Sequence, residues 1–107
     1  MAVAESSRKV LVVEPDSSTR REIKQVCEQD GYQVFEADAG SEALKQVESA
    51  RPSVVLLEVT LPDAAGFDVC RELRKVDPAV PVIMMSSRSD EIDAVVALEI
   101  GADVYVT

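Results

Sequence analysis

A doubly wound α/β fold, with five parallel strands and helices on both faces, is what this sequence predicts. Three observations carry the prediction. Short continuous apolar runs alternate with amphipathic segments, the alternation reads βαβαβαβαβ, and no repeat, linker or low-complexity tract interrupts it. At 107 residues the chain is one domain, large enough for a single core.

Each element has its own signal. Val10-Leu11-Val12-Val13 is apolar without alternation, the mark of a strand buried on both faces. Asp16 can cap a helix that continues through Glu22 to Gln29, with Ile23, Val26 and Cys27 as the buried stripe. Asp30-Gly31 ends it, glycine suiting the left-handed position past a helix terminus. Tyr32 to Glu36 reads as the second strand, and Ser41 to Ser49 as a helix with Ala43, Leu44 and Val47 inward. Val54-Val55-Leu56-Leu57 is the most apolar run, hence the central strand. Leu61-Pro62-Asp63-Ala64-Ala65-Gly66 breaks both periodicities and is a loop, followed by an amphipathic helix from Phe67 to Val76. Pro81 to Met85 is the fourth strand, with Met84 and Met85 as core filler. Ser89 or Asp90 caps a helix to Ile100, Gly101 closes it, and Asp103 to Val106 is the fifth strand.

Composition excludes several functions. Eleven basic against twenty acidic residues leave a net charge of −9, unsuited to a free-standing nucleic-acid binder. The absence of His removes His-based general bases and His-ligated metals. No apolar run approaches the roughly 20 residues of a membrane span, and the start lacks a signal-peptide pattern. Cys27 and Cys70 fall on helices expected on opposite faces, so they should stay unpaired thiols, and no base is at hand to make either a nucleophile. A reduced, cytoplasmic, acidic domain is the expectation.

In open parallel sheets the functional crevice lies at the carboxyl ends of the strands. Glu14, Pro15 and Asp16 follow the first strand; Glu58, Val59 and Thr60 the third; Ser86 and Ser87 the fourth; the fifth carries Tyr105 and Thr107. Carboxylates and hydroxyls from separate strands are the chemistry of a hard divalent cation such as Mg²⁺. Polar strand ends that simply meet solvent would look the same.

Here the resemblance becomes specific. Lys9–Glu14, Val54–Asp63, Gly66–Arg71, Pro81–Ser86 and Gly101–Thr107 resemble response-regulator receiver domains, in detail those of the OmpR/PhoB type. The resemblance implies the CheY-like, flavodoxin-like (βα)5 fold over residues 9–107, truncated before helix 5, with residues 1–8 as an N-terminal tail. It also implies the family's chemistry. A histidine kinase passes a phosphoryl group to an Asp after the third strand, with Mg²⁺ held by acids after the first. A hydroxyl and a Lys contact the phosphoryl oxygens, and an aromatic on the fifth strand swings inward.

Matched position by position, this chain departs where that chemistry happens. The phosphoacceptor position holds Glu58. Glu14 fills the first acidic position, Pro15 stands where a direct metal ligand belongs, and Asp16 matches a position pointing to the helix start. Ser86 and Tyr105 match the two switch positions, and the Lys would fall beyond Thr107. Glu14, Glu58 and Thr60 are the remaining metal candidates, so Mg²⁺ binding should be weak or absent and no other cofactor is expected. The expectation is an atypical receiver, not an enzyme, that regulates an output, a DNA-binding transcription regulator, largely independently of aspartyl phosphorylation and through dimerisation. A phosphoacceptor with autophosphatase activity and a ligand-sensing pseudo-receiver are the alternatives; nothing basic in the sequence lines the pocket to favour an anionic ligand. A homodimer through helix 4 and strand 5 is expected, with Ala94 and Val104 where the subfamily carries charge and Glu99 and Asp103 retained. A missing helix 5 would leave apolar side chains exposed on the sheet face shared with helix 1. DNA would be met only through an output domain.

Overall fold

The computed structural model describes residues 8–86 and 91–106, with the backbone alone for 91–94. Its elements are β1 Lys9–Val13, α1 Ser17–Gln29, β2 Gln33–Ala37, α2 Gly40–Ala50, β3 Val54–Glu58, α3 Gly66–Val76, β4 Val82–Met85, α4 Glu91–Glu99 and β5 Val104–Val106. All strand pairs are parallel, in the order β2-β1-β3-β4-β5, so β3 is central as its apolar run predicts. The expected caps Ser89 and Asp90, together with Ser87, Thr107, the tail to Ser7 and the side chain of Ala94, lie outside the described residues.

Side-chain alternation sorts the sheet into two unequal faces. Leu11, Val13, Val55, Leu57, Val82 and Met84 point to one side, where Ala43 and Val47 of α2, Cys70 and Leu73 of α3 and Ala97 of α4 complete the main core. Fully burying such a side chain is worth about 1.5–3 kcal/mol, so this face holds most of the stability. Val10 and Val12, also buried, face the other way, under α1.

The α1 side corrects one sequence expectation. Ile23, Val26 and Cys27 were to form a buried stripe, but no residue of α1 is buried and Val26 is 62% exposed. Three helices share the opposite face, whereas among the described elements α1 alone lies on this one. The apolar stripe therefore meets the sheet along one edge only. An apolar recess lined by Ile23, Val26, Cys27 and Leu56 remains beside it. Met85 follows the same rule: Met84 is fully buried, but Met85, one position on, is only half-buried. Cys27 and Cys70 are free thiols on opposite faces, and burial raises the pKa of both.

Two loop contacts place the strand ends. Asp63, 22 residues or more from its partners, accepts from the backbone N–H groups of Gly40 (2.7 Å) and Ser41 (3.0 Å). It thus caps α2 from a distant loop, Ala39 offering no side-chain cap, and those bonds hold its carboxyl below the usual range. The other contact is at α3, where Gly66 donates its N–H to the Val59 carbonyl and packs directly on the end of β3.

Candidate functional site

At the carboxyl edge of the sheet the side chains expected from the sequence fall into a row. The register pairs Val13 with Leu57 and Glu58 with Met85, so Glu14 and Glu58 leave neighbouring strands side by side. Ser86 comes next, its N–H donating to the Val106 carbonyl at 2.9 Å. Glu14 and Ser86 are the two buried polar residues there, each 7% exposed.

Glu14 is held from three directions. Its N–H donates to the Ala37 carbonyl (3.0 Å), its carbonyl accepts from Arg20 Nη1 (2.8 Å), and its Oε2 accepts from the Asp16 N–H (3.1 Å). Burial raises its pKa, partly offset by the Asp16 N–H; the charges of Glu58 and Asp16 and a hydrogen bond with Glu58 raise it further. Glu58 turns its Oε2 back onto the N–H groups of Val59 (2.9 Å) and Thr60 (3.4 Å). Asp16 points away to the exposed start of α1, where its carboxylate accepts from Thr19 N–H (2.9 Å), Thr19 Oγ1 (2.6 Å) and Ser18 Oγ (2.9 Å). Those hydroxyl and amide bonds lower its pKa.

A raised pKa on Glu14 fixes a sign. The folded state binds that proton more readily than the unfolded chain. Its stabilising contribution is therefore full below the ordinary value of 4.5 and is lost as pH rises through the folded value. Glu14→Gln is accordingly expected to be more stable than the parent at pH 7 and to lose that advantage toward pH 4. Urea midpoints at both pH values check it; an advantage that grew on acidification would refute the reading.

Tyr105 sits on the core side of β5, packed against the main cluster, with its hydroxyl enclosed and without a hydrogen-bond partner among the described residues. Thr60 is exposed and forms a lone antiparallel bridge with Ala65.

Two basic residues were missed from the sequence, Arg20 at this edge and Arg74 at the opposite, amino edge of the sheet. Arg20, beyond its bond to Glu14, pairs with Glu36 at 3.1 Å and lines a polar cleft with Glu36, Ala37, Asp38 and Glu42. This corrects the expectation that no basic group lies near the pocket, although Glu36 and the Glu14 carbonyl already engage it. Burial pushes the Glu36 carboxyl up, but Arg20 and Lys24 outweigh it and its pKa is lowered. Arg74 ties α3 to the loops flanking β4 and β5, donating to the carbonyls of Val80 (2.5 Å) and Gly101 (2.6 and 2.9 Å) and to Asp103 (2.9 Å). Both arginines lie on the apolar stripes of their helices, three residues before Ile23 and four after Cys70. A cation on an apolar stripe was the available signal.

The donor set at this edge departs from the one the resemblance implies for Mg²⁺, since Pro15 brings no side-chain oxygen. Mg²⁺ demands near-ideal octahedral geometry from oxygen ligands. Glu14 and Glu58 each commit an oxygen to backbone N–H groups, and Pro15 has no oxygen on its side chain. Among the described residues no three His, Cys, Asp or Glu side chains gather as a metal site.

A parallel sheet in this order, with acids and hydroxyls at its carboxyl edge, defines a receiver-type α/β module. The response regulator receiver domain family matches residues 10–107, and the chain belongs to that family. It is 38% identical over 101 residues to the alkaline phosphatase synthesis transcriptional regulatory protein PhoP of Bacillus subtilis, covering 94% of this chain and 42% of that one. It is 40% identical over 98 residues to the KDP operon transcriptional regulatory protein KdpE of Escherichia coli, covering 92% and 43%. The chain thus spans about two-fifths of the length of these relatives. Among solved structures, a CheY-like receiver domain protein of Methanospirillum hungatei superposes with TM-score 0.88 at 28% identity, covering 92% of this chain and 79% of that one. The BeF3-activated N-terminal receiver domain of Klebsiella pneumoniae RstA gives TM-score 0.88 at 26% identity, covering 92% and 84%. No helix among the described residues is long and apolar enough to cross a membrane.

Proposed function

We propose that this receiver regulates a transcriptional output largely independently of aspartyl phosphorylation, through association at the surface built by α4 and β5. The observation that carries the reading is Glu58 at the end of the central strand, its carboxylate folded back on Val59 and Thr60 and set beside Glu14. Glu reaches about 1.5 Å farther than Asp, one extra carbon–carbon bond. A misplacement of about 1 Å can cost on the order of a hundredfold in rate. Without a carboxylate at position 15, nothing completes a metal site to offset that loss.

Glu58 supplies a fixed negative charge where the resemblance places a phosphoryl group, though one charge stands for the roughly −1.5 to −2 of phosphate. The enclosed hydroxyl of Tyr105 supports an active-like arrangement with no phosphoryl group present. On this reading phosphoryl transfer from a histidine kinase is not the switch, and DNA contact belongs to an output domain, since a domain of net charge −9 repels phosphates. A second copy of the chain, forming a homodimer, is the occupant the sequence suggests for α4 and β5.

Incubation with acetyl phosphate and Mg²⁺ is expected to add no phosphoryl group, as read by intact mass. Millimolar Mg²⁺ should leave the amide signals of Glu14, Glu58 and Thr60 in place. Stoichiometric labelling, or saturable joint movement of those three signals, overturns the proposal.

A further inference from the structure

We draw no further inference here: the strongest candidate, the polar cleft that Arg20, Glu36, Asp38 and Glu42 line between α1, the end of β2 and α2, carries nothing, because Glu36 and the Glu14 carbonyl already engage Arg20 and what remains is a cluster of acids with nothing in the structure to show a ligand.

Discussion

Gly66→Ala is expected to destabilise the domain by about 2–3 kcal/mol, the range for forcing an atom into a filled site. Gly66 opens α3 where that helix lands on the end of the central strand. A Cβ there would meet the Glu58 carbonyl oxygen, with the Val59 Cα at 2.8 Å and the Val59 carbonyl oxygen at 2.9 Å. These are backbone atoms. They cannot rotate aside as a side chain would, and β4 holds them through the bond from the Val59 N–H to the Met85 carbonyl at 2.9 Å. Either α3 lifts from the sheet, opening the core around Cys70 and Leu73, or β3 shifts and carries Glu58 with it. The corresponding fall in Tm is roughly 10 °C for a domain of this size. Urea unfolding gives the loss directly, and a value below about 0.5 kcal/mol would show that α3 pivots freely on its loop. Displacement of the Glu14 and Glu58 amide signals in the folded variant would show β3 yielding before α3.

How much of this was legible in the sequence depends on the range of the interaction. Strands and helices announced themselves through local periodicity. The continuous runs at Val10–Val13 and Val54–Leu57 became β1 and the central β3, and the stripe of Ala43 and Val47 became the inner face of α2. Boundaries moved by a residue or two because long-range contacts claimed the ends. Asp103, expected to begin the fifth strand, instead turns its carboxylate to the Val82 N–H (2.8 Å) and to Arg74, so β5 starts at Val104. The stripe on α1 failed for a different reason. Periodicity reports which side of a helix is apolar, and burial further requires neighbours on both sides of that stripe. At Val26 the described elements supply the sheet on one side alone.

The candidate site divides the same way. Glu14, Glu58, Ser86 and Tyr105 were placed by strand ends, a local feature, and the parallel register brings them to one edge. The groups that hold that edge were not visible. Arg20 reaches Glu36 and Asp63 reaches Gly40, and at the opposite, amino edge Arg74 reaches Gly101, across separations of 16, 23 and 27 residues that leave no periodic trace. Charge misplaced on an apolar stripe was the one signal, and it does not name a partner.

Arg74→Ala tests the most heavily bonded of these hidden contacts and is expected to cost about 3 kcal/mol, since leaving a buried acceptor unpaired costs about 1–3 kcal/mol each. Only 18% of the Arg74 side chain is exposed, and its guanidinium serves Val80 and Gly101 carbonyls and the Asp103 carboxylate at once. Removing it strands both carbonyls and frees Asp103, which retains only the Val82 N–H. Lys in its place offers one charge centre where a planar fork met four acceptors, the Asp77 carbonyl at 3.4 Å among them, so Arg74→Lys should recover less than half of the loss. The damage should also be local. β5 is a three-residue edge strand, paired with β4, and the Gly101–Asp103 segment that Arg74 clamps leads into it from α4. Amide exchange in residues 100–106 is therefore expected to accelerate far more than in β1 or β3. Uniform acceleration across the sheet would mean that Arg74 stabilises only the global fold. If the acceleration is confined to β5, Arg74 is the strut that holds α4 and β5 as one surface, and its loss should weaken any partner that reads both.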